Sequence, residues 1–140
     1  MIKVVLDTNI LISSLFWKGP PHRIVDLAIA NKIQSITSPE ILAEIETVLF
    51  EDFPGFPYQR IEEILRDILS YSQLITVEQI PVKELRDVRD TKIIACALSA
   101  KANYIVTGDK DLLVLKTYGG VSILNARIFL DVCGIKMSHL

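Results

Sequence analysis

Cysteine, histidine and tryptophan are scarce in this chain, and each scarcity removes a class of chemistry. The two cysteines, Cys96 and Cys133, lie in separate apolar segments with no CxxC spacing, so they read as buried thiols of a reducing compartment rather than as a disulfide or a zinc site. The two histidines stand alone: His22 reads as a surface residue at a helix start and His139 as tail. They give no basis for a Ser/His/Asp site. No apolar run approaches the ~20 residues that span a bilayer, and Asp7 arrives before any signal-peptide core can build up. A cytoplasmic protein without membrane attachment is expected. A net charge of −2 gives no whole-molecule attraction to nucleic acid, although carboxylates gathered around cations would lower the net charge without forbidding a polyanionic substrate.

Half of the 140 residues are hydrophobic, enough for one well-filled core and too few residues for two. Ile2 to Leu6 is continuously apolar and rich in β-branched residues, which predicts a strand covered on both faces. A short helix follows from Ile10 to Phe16, broken by Lys18-Gly19-Pro20-Pro21, then a second from His22 to Ala30. Lys32 to Thr37 alternates like a strand. Ser38 as N-cap, Pro39 in the first turn and Glu40 near the positive dipole end start a helix that runs to Leu49. Glu51 to Pro57 reads as a loop, and Tyr58 to Ser72 as an amphipathic helix with Ile61, Ile64, Leu65, Ile68 and Leu69 inward. A short strand at Leu74 to Val77, a polar loop from Pro81 to Arg89, and a helix capped by Asp90 or Thr91 come next. Tyr104 to Val106 and Val121 to Leu124 read as strands, and Asn125 caps a last helix through Val132. Apolar strands alternating with helices predict an α/β fold, a single domain over residues 1–140 with a mostly parallel sheet of four to five strands between helices.

In such a sheet the functional crevice lies at the carboxyl ends of the strands. Asp7 and Asp109 both fall there, each directly after an apolar strand or its Thr-Gly extension. Asp111, Asp87, Asp90 and the glutamates Glu40, Glu44 and Glu46 add further acids. Clustered carboxylates are costly to ionise together unless a cation neutralises them. Hard oxygen ligands without His or Cys select Mg²⁺ or Mn²⁺ over Zn²⁺, and the usual use of such a site is phosphoryl hydrolysis. Glu44 and Glu46 flank the apolar stripe of their helix at similar angular offsets, so periodicity alone leaves either able to reach the sheet edge.

Taken together, Val4 to Ser13 (VVLDTNILIS), Ser38 to Leu49 (SPEILAEIETVL), Arg86 to Leu113 (RDVRDTKIIACALSAKANYIVTGDKDLL) and Val121 to Leu130 (VSILNARIFL) resemble a PIN-domain nuclease, in particular the PIN-family toxin components of prokaryotic toxin–antitoxin systems. The resemblance implies a metal-dependent endoribonuclease using Mg²⁺ or Mn²⁺, with Asp7, Glu44, Asp90 and Asp109 as the catalytic, metal-binding acids. It selects Glu44 over Glu46, and Asp90 is preferred to Asp87. Thr8, Asn9, Asp87, Thr107 and Asp111 would support them. RNA cleavage would leave a 5′-phosphate and a 3′-hydroxyl, with Lys18, Arg23, Lys110 and Lys116 as candidate phosphate contacts. Toxin membership implies a cognate antitoxin and suggests a homodimer. The aromatic-rich Phe50 to Tyr58 segment (FEDFPGFPY) is either a partner surface or a loop folded over its own core. One alternative is a PIN-fold binding module that does not cleave. Another is a haloacid-dehalogenase-like phosphatase, for which Asn9 stands where the general acid should be.

Overall fold

Val4, Val5 and Leu6 are all fully buried, although successive residues of a strand point to opposite faces. The strand that contains them, β1 (Lys3–Leu6), is therefore covered on both sides, as its continuous apolar character predicts. The computed structural model describes residues 1–78 and 88–135, with residues 88–90 described by their backbone alone.

From β1 the chain enters α1 (Thr8–Phe16) and α2 (Pro20–Ile29), returns as β2 (Gln34–Thr37), and continues through α3 (Pro39–Asp52) and α4 (Tyr58–Tyr71) to β3 (Ser72–Leu74). After α5 (Val88–Ala100) come β4 (Tyr104–Val106), α6 (Lys110–Leu113), β5 (Thr117–Tyr118), β6 (Val121–Leu124) and α7 (Ala126–Val132). The six strands form one sheet in the order β3-β2-β1-β4-β6-β5, parallel throughout except for β5. Helix α5 packs against β1, β2 and β4 and also touches α3, while α2 packs against α1 and α7. The result is the expected α/β sandwich around a mostly parallel sheet.

Local chemistry accounts for most of these elements. Ser38 caps α3, its Oγ accepting from the Ile41 N–H at 3.3 Å, and Asn125 caps α7 by accepting from Ile128 N–H at 2.9 Å. On α4, Ile61, Ile64 and Ile68 face the core and are 2% exposed or less, whereas Leu69 lies on the open side.

Several expected boundaries move. Proline fixes the backbone angle a first helical turn needs, so Pro20 and Pro21 begin α2 rather than merely separating it from α1. Helix α3 continues to Asp52, which makes Glu51 and Asp52 helical and confines the loop to residues 53–57. Strand β2 does not alternate: Ser35, Ile36 and Thr37 are all buried, and Ser35 is accommodated by a 2.8 Å hydroxyl contact with Ser72 on β3. Strand β3 lies at Ser72–Leu74, earlier than the Leu74 to Val77 expected. Asp90 lies inside helix α5 (Val88–Ala100) and is not its cap. The expected Pro81 to Arg89 loop lies outside the described residues up to Asp87, as does His139. Cys96 is buried as expected, but Cys133 is only partly so.

Strand β5 has no counterpart in the sequence-based reading. It pairs antiparallel with β6 across Gly119 and Gly120, whose φ angles are +55° and +86°. Two consecutive left-handed residues suit a two-residue hairpin turn. Gly119 has a second constraint, since a Cβ there would lie 2.6 Å from Leu98 Cδ2.

Candidate active site

The ladder hydrogen bonding of β1 extends one residue past the strand, with Asp7 N–H donating to the Val106 carbonyl at 3.0 Å. This places Asp7 at the carboxyl edge of the sheet as the N-cap of α1, where its Oδ1 accepts from Thr8 N–H at 2.7 Å. Its Oδ2 accepts from the Thr107 hydroxyl at 2.6 Å. The same hydroxyl oxygen accepts from Asp109 N–H at 3.0 Å, so its proton is directed at Asp7. Asp109 in turn caps α6, its Oδ1 accepting from Asp111 N–H at 2.9 Å. Asn9 Oδ1 accepts from Gly108 N–H at 3.3 Å and ties the two acidic turns together.

Glu44 reaches the same place from α3. It lines a cleft of about 390 Å³ with Asp7, Thr8, Asn9, Asp109, Ile12, Ser13, Val48, Asp52 and Phe53. Glu46 is exposed, so the choice that periodicity leaves open is resolved geometrically in favour of Glu44 as the cleft residue. Asp7 is only 7% exposed, and burial pushes its carboxyl above the ordinary value of 3.8. The Thr107 hydroxyl and the Thr8 N–H oppose that rise, while the charges of Glu44 and Asp109 add to it. One oxygen of Glu44, Oε2, is buried and lacks a partner among the described residues, as does the Thr8 hydroxyl.

The other expected site residues are placed less closely. Asp90 lies on α5, and Asp87 lies outside the described residues. Asp111 is exposed, its N–H rather than its carboxylate engaged. Lys18, Lys110 and Lys116 are exposed and Arg23 is half-buried; none of the four lines the cleft. His22 contacts the Ser14 carbonyl at 3.1 Å and lies 3.7 Å from Asp26, a local arrangement that among the described residues belongs to no group of three or more metal-ligating side chains. Cys96 is unsuited to nucleophilic chemistry, since burial pushes its thiol up to about 12.

Asp52 and Phe53 line the cleft although the sequence reading assigned them to a loop. The signal was present: Glu44, Val48 and Asp52 recur every four residues, the spacing of one helix face, and are legible as a set once α3 is extended. The aromatic segment proves to be of mixed character. Phe53 stacks on Phe16 with ring centres 5.1 Å apart, and Phe56 meets both edge-on at 6.3 Å, whereas Phe50 and Tyr58 are exposed.

A family model for the PIN domain matches residues 3–111. The chain belongs to the PIN domain family. It is 40% identical over 120 residues to the uncharacterized protein MJ1680 of Methanocaldococcus jannaschii, an alignment covering 82% of this chain and 76% of the archaeal protein. The fold also matches a chain in the crystal structure of VapBC2 from Rickettsia felis bound to a DNA fragment from their promoter, with a TM-score of 0.64 at 15% identity over 89% of this chain and 98% of the other.

The donor set of this PIN domain suits a hard divalent cation. Asp7, Glu44 and Asp109 present only oxygen, the charges of Glu44 and Asp109 raise the Asp7 carboxyl, and a buried Glu44 oxygen has no partner among the described residues. Among the described residues no three acidic, histidine or cysteine side chains close tightly enough to hold an ion by themselves. No helix among the described residues is long and apolar enough to cross a membrane.

Proposed function

We propose that this PIN domain is a metal-dependent endoribonuclease and the toxin of a toxin–antitoxin pair. The observation that supports the reading best is the convergence of Asp7, Glu44 and Asp109 on one cleft at the carboxyl edge of the sheet. Asp7, Glu44, Asp90 and Asp109 would hold Mg²⁺ or Mn²⁺, which when bound supplies electrostatic stabilisation of a phosphodiester and a more acidic water. Asp7 is the fixed member, held by the Thr8 N–H and the Thr107 hydroxyl. Glu44 approaches from α3 with an oxygen still to be satisfied. Asp109 is partly open to solvent and so able to meet substrate as well as metal. Lys110, next to Asp109, and Lys18, Arg23 and Lys116, which lie outside the cleft lining, are the basic residues assigned to phosphate contact.

The likeness to a chain of the VapBC2 assembly supports an antitoxin partner, and the resemblance to toxin components suggests a homodimer. Incubating a defined RNA panel with Mg²⁺, Mn²⁺ or EDTA tests the enzymatic reading. Cleavage with either metal and none in EDTA is expected. Undiminished cutting in EDTA, or by Asp7→Asn, would remove it.

A further inference from the structure

We infer that Phe53 and Asp52 form a nucleobase subsite at the α3 C-terminal end of the cleft, selecting an unpaired base that carries an exocyclic amine. The inference rests on the ribonuclease reading for the identity of the substrate. Eight residues at 1.5 Å rise place Asp52 about 12 Å along α3 from Glu44, yet both line the same cleft. A chain crossing the acidic cluster therefore meets Asp52 and Phe53 at a neighbouring nucleotide, away from the phosphate at Asp7 and Glu44.

Phe53 offers what a stacked base needs. Its ring is fixed by stacking on Phe16, at 5.1 Å and 19° between planes, and by the edge of Phe56, so little freedom is lost when a base joins it. Stacking on an aromatic ring accepts any base and supplies affinity rather than choice. Asp52 supplies the choice. It is exposed and has no hydrogen-bond or salt-bridge partner among the described residues. A carboxylate in a groove for a polyanion repels phosphate, but it accepts from a base amine, as acidic side chains do from cytosine N4. Uracil has no exocyclic amine and would be discriminated against.

The test is anisotropy with labelled oligocytidylate, oligoadenylate and oligouridylate in Ca²⁺, with Mn²⁺ cleavage measured in parallel and each variant's thermal melting recorded. The C and A oligomers should bind at least about fivefold more tightly than U. Phe53→Leu should weaken binding of all three by about five- to a hundredfold, and Phe53→Trp should restore it. Asp52→Asn should weaken binding of the C and A oligomers more than that of U and bring the C-to-U ratio close to one. A folded Phe53→Leu that binds RNA like the parent overturns the subsite. So does an unchanged C-to-U ratio in Asp52→Asn. Base-selective binding without cleavage upholds the subsite and removes the nuclease reading, whereas cleavage that both variants leave unaltered does the reverse. Failure to bind or cleave any oligomer removes both.

Discussion

The turn after β1 and the turn after β4 each deliver an aspartate that caps the next helix, but they do so at different distances from the strand. Asp7 follows Leu6 directly, whereas Thr107 and Gly108 separate Asp109 from Val106. Leu6 and Val106 are register partners, so Thr107 lies level with Asp7 and its hydroxyl holds that carboxylate. The spacer thus serves the other turn's acid. Asp7 is buried and held by two donors, while Asp109 is half-buried and held by its own helix cap. One design repeated on two strands yields a rigid acid and an adjustable one.

Substitutions can break this contrast. Asp7→Asn should lower cleavage by about a thousandfold, roughly 4 kcal/mol in the barrier, measured as single-turnover rates on a defined RNA in Mn²⁺. Asp109→Asn, which keeps a capping oxygen, should cost less, about a hundredfold; equal losses would erase the distinction between rigid and adjustable acids. Thr107→Val removes a donor to buried Asp7 and the acceptor of Asp109 N–H, and should destabilise the protein by about 2 kcal/mol in urea denaturation. A variant as stable as the parent would show that the hydroxyl does not couple the two turns.

Titration sharpens the same comparison. The Asp7 carboxyl is raised in the folded protein, chiefly by burial, so the native state retains a proton that the unfolded chain has already released. Its contribution is fully present below the ordinary value of 3.8 and is lost as pH rises through the folded pKa, with a slope of at most about 1.4 kcal/mol per pH unit. Urea titrations of the protein in EDTA between acid and neutral pH should show this component, and Asp7→Asn should remove it. An unchanged pH profile in the variant would rule out the assignment. The smallest effect belongs to exposed Asp111, whose change to Asn should alter stability by less than about 0.5 kcal/mol.

Much of the architecture was legible because it is dictated locally. Ser38 and Asn125 announce their helices through side-chain capping, and the unbroken apolar run of β1 announces burial on both faces. Asp7 and Asp109 could be brought together because parallel strands present their carboxyl ends to one edge. What stayed hidden depends on contacts across the chain. The buried hydroxyls of Ser35 and Thr37 look polar in a sequence window, and Ser35 is accommodated by Ser72. Strand β5 is two residues long and owes its existence to a hairpin turn on two glycines. Asp52 and Phe53 were concealed by Pro54 and Pro57, which suggested an earlier helix end than α3 adopts.

The hydrogen bond from Thr107 to Asp7 joins residues 100 positions apart, and the β1–β4 pairing beneath it has the same span. Contacts of such long range require the intervening chain to close a long loop, which costs entropy before they reward it. At a synthesis rate of about 5–20 residues per second, β1 waits roughly 5–20 s for the partner strand that completes its acidic edge. The nascent chain is therefore assembled beside messenger and ribosomal RNA with its carboxylates still apart.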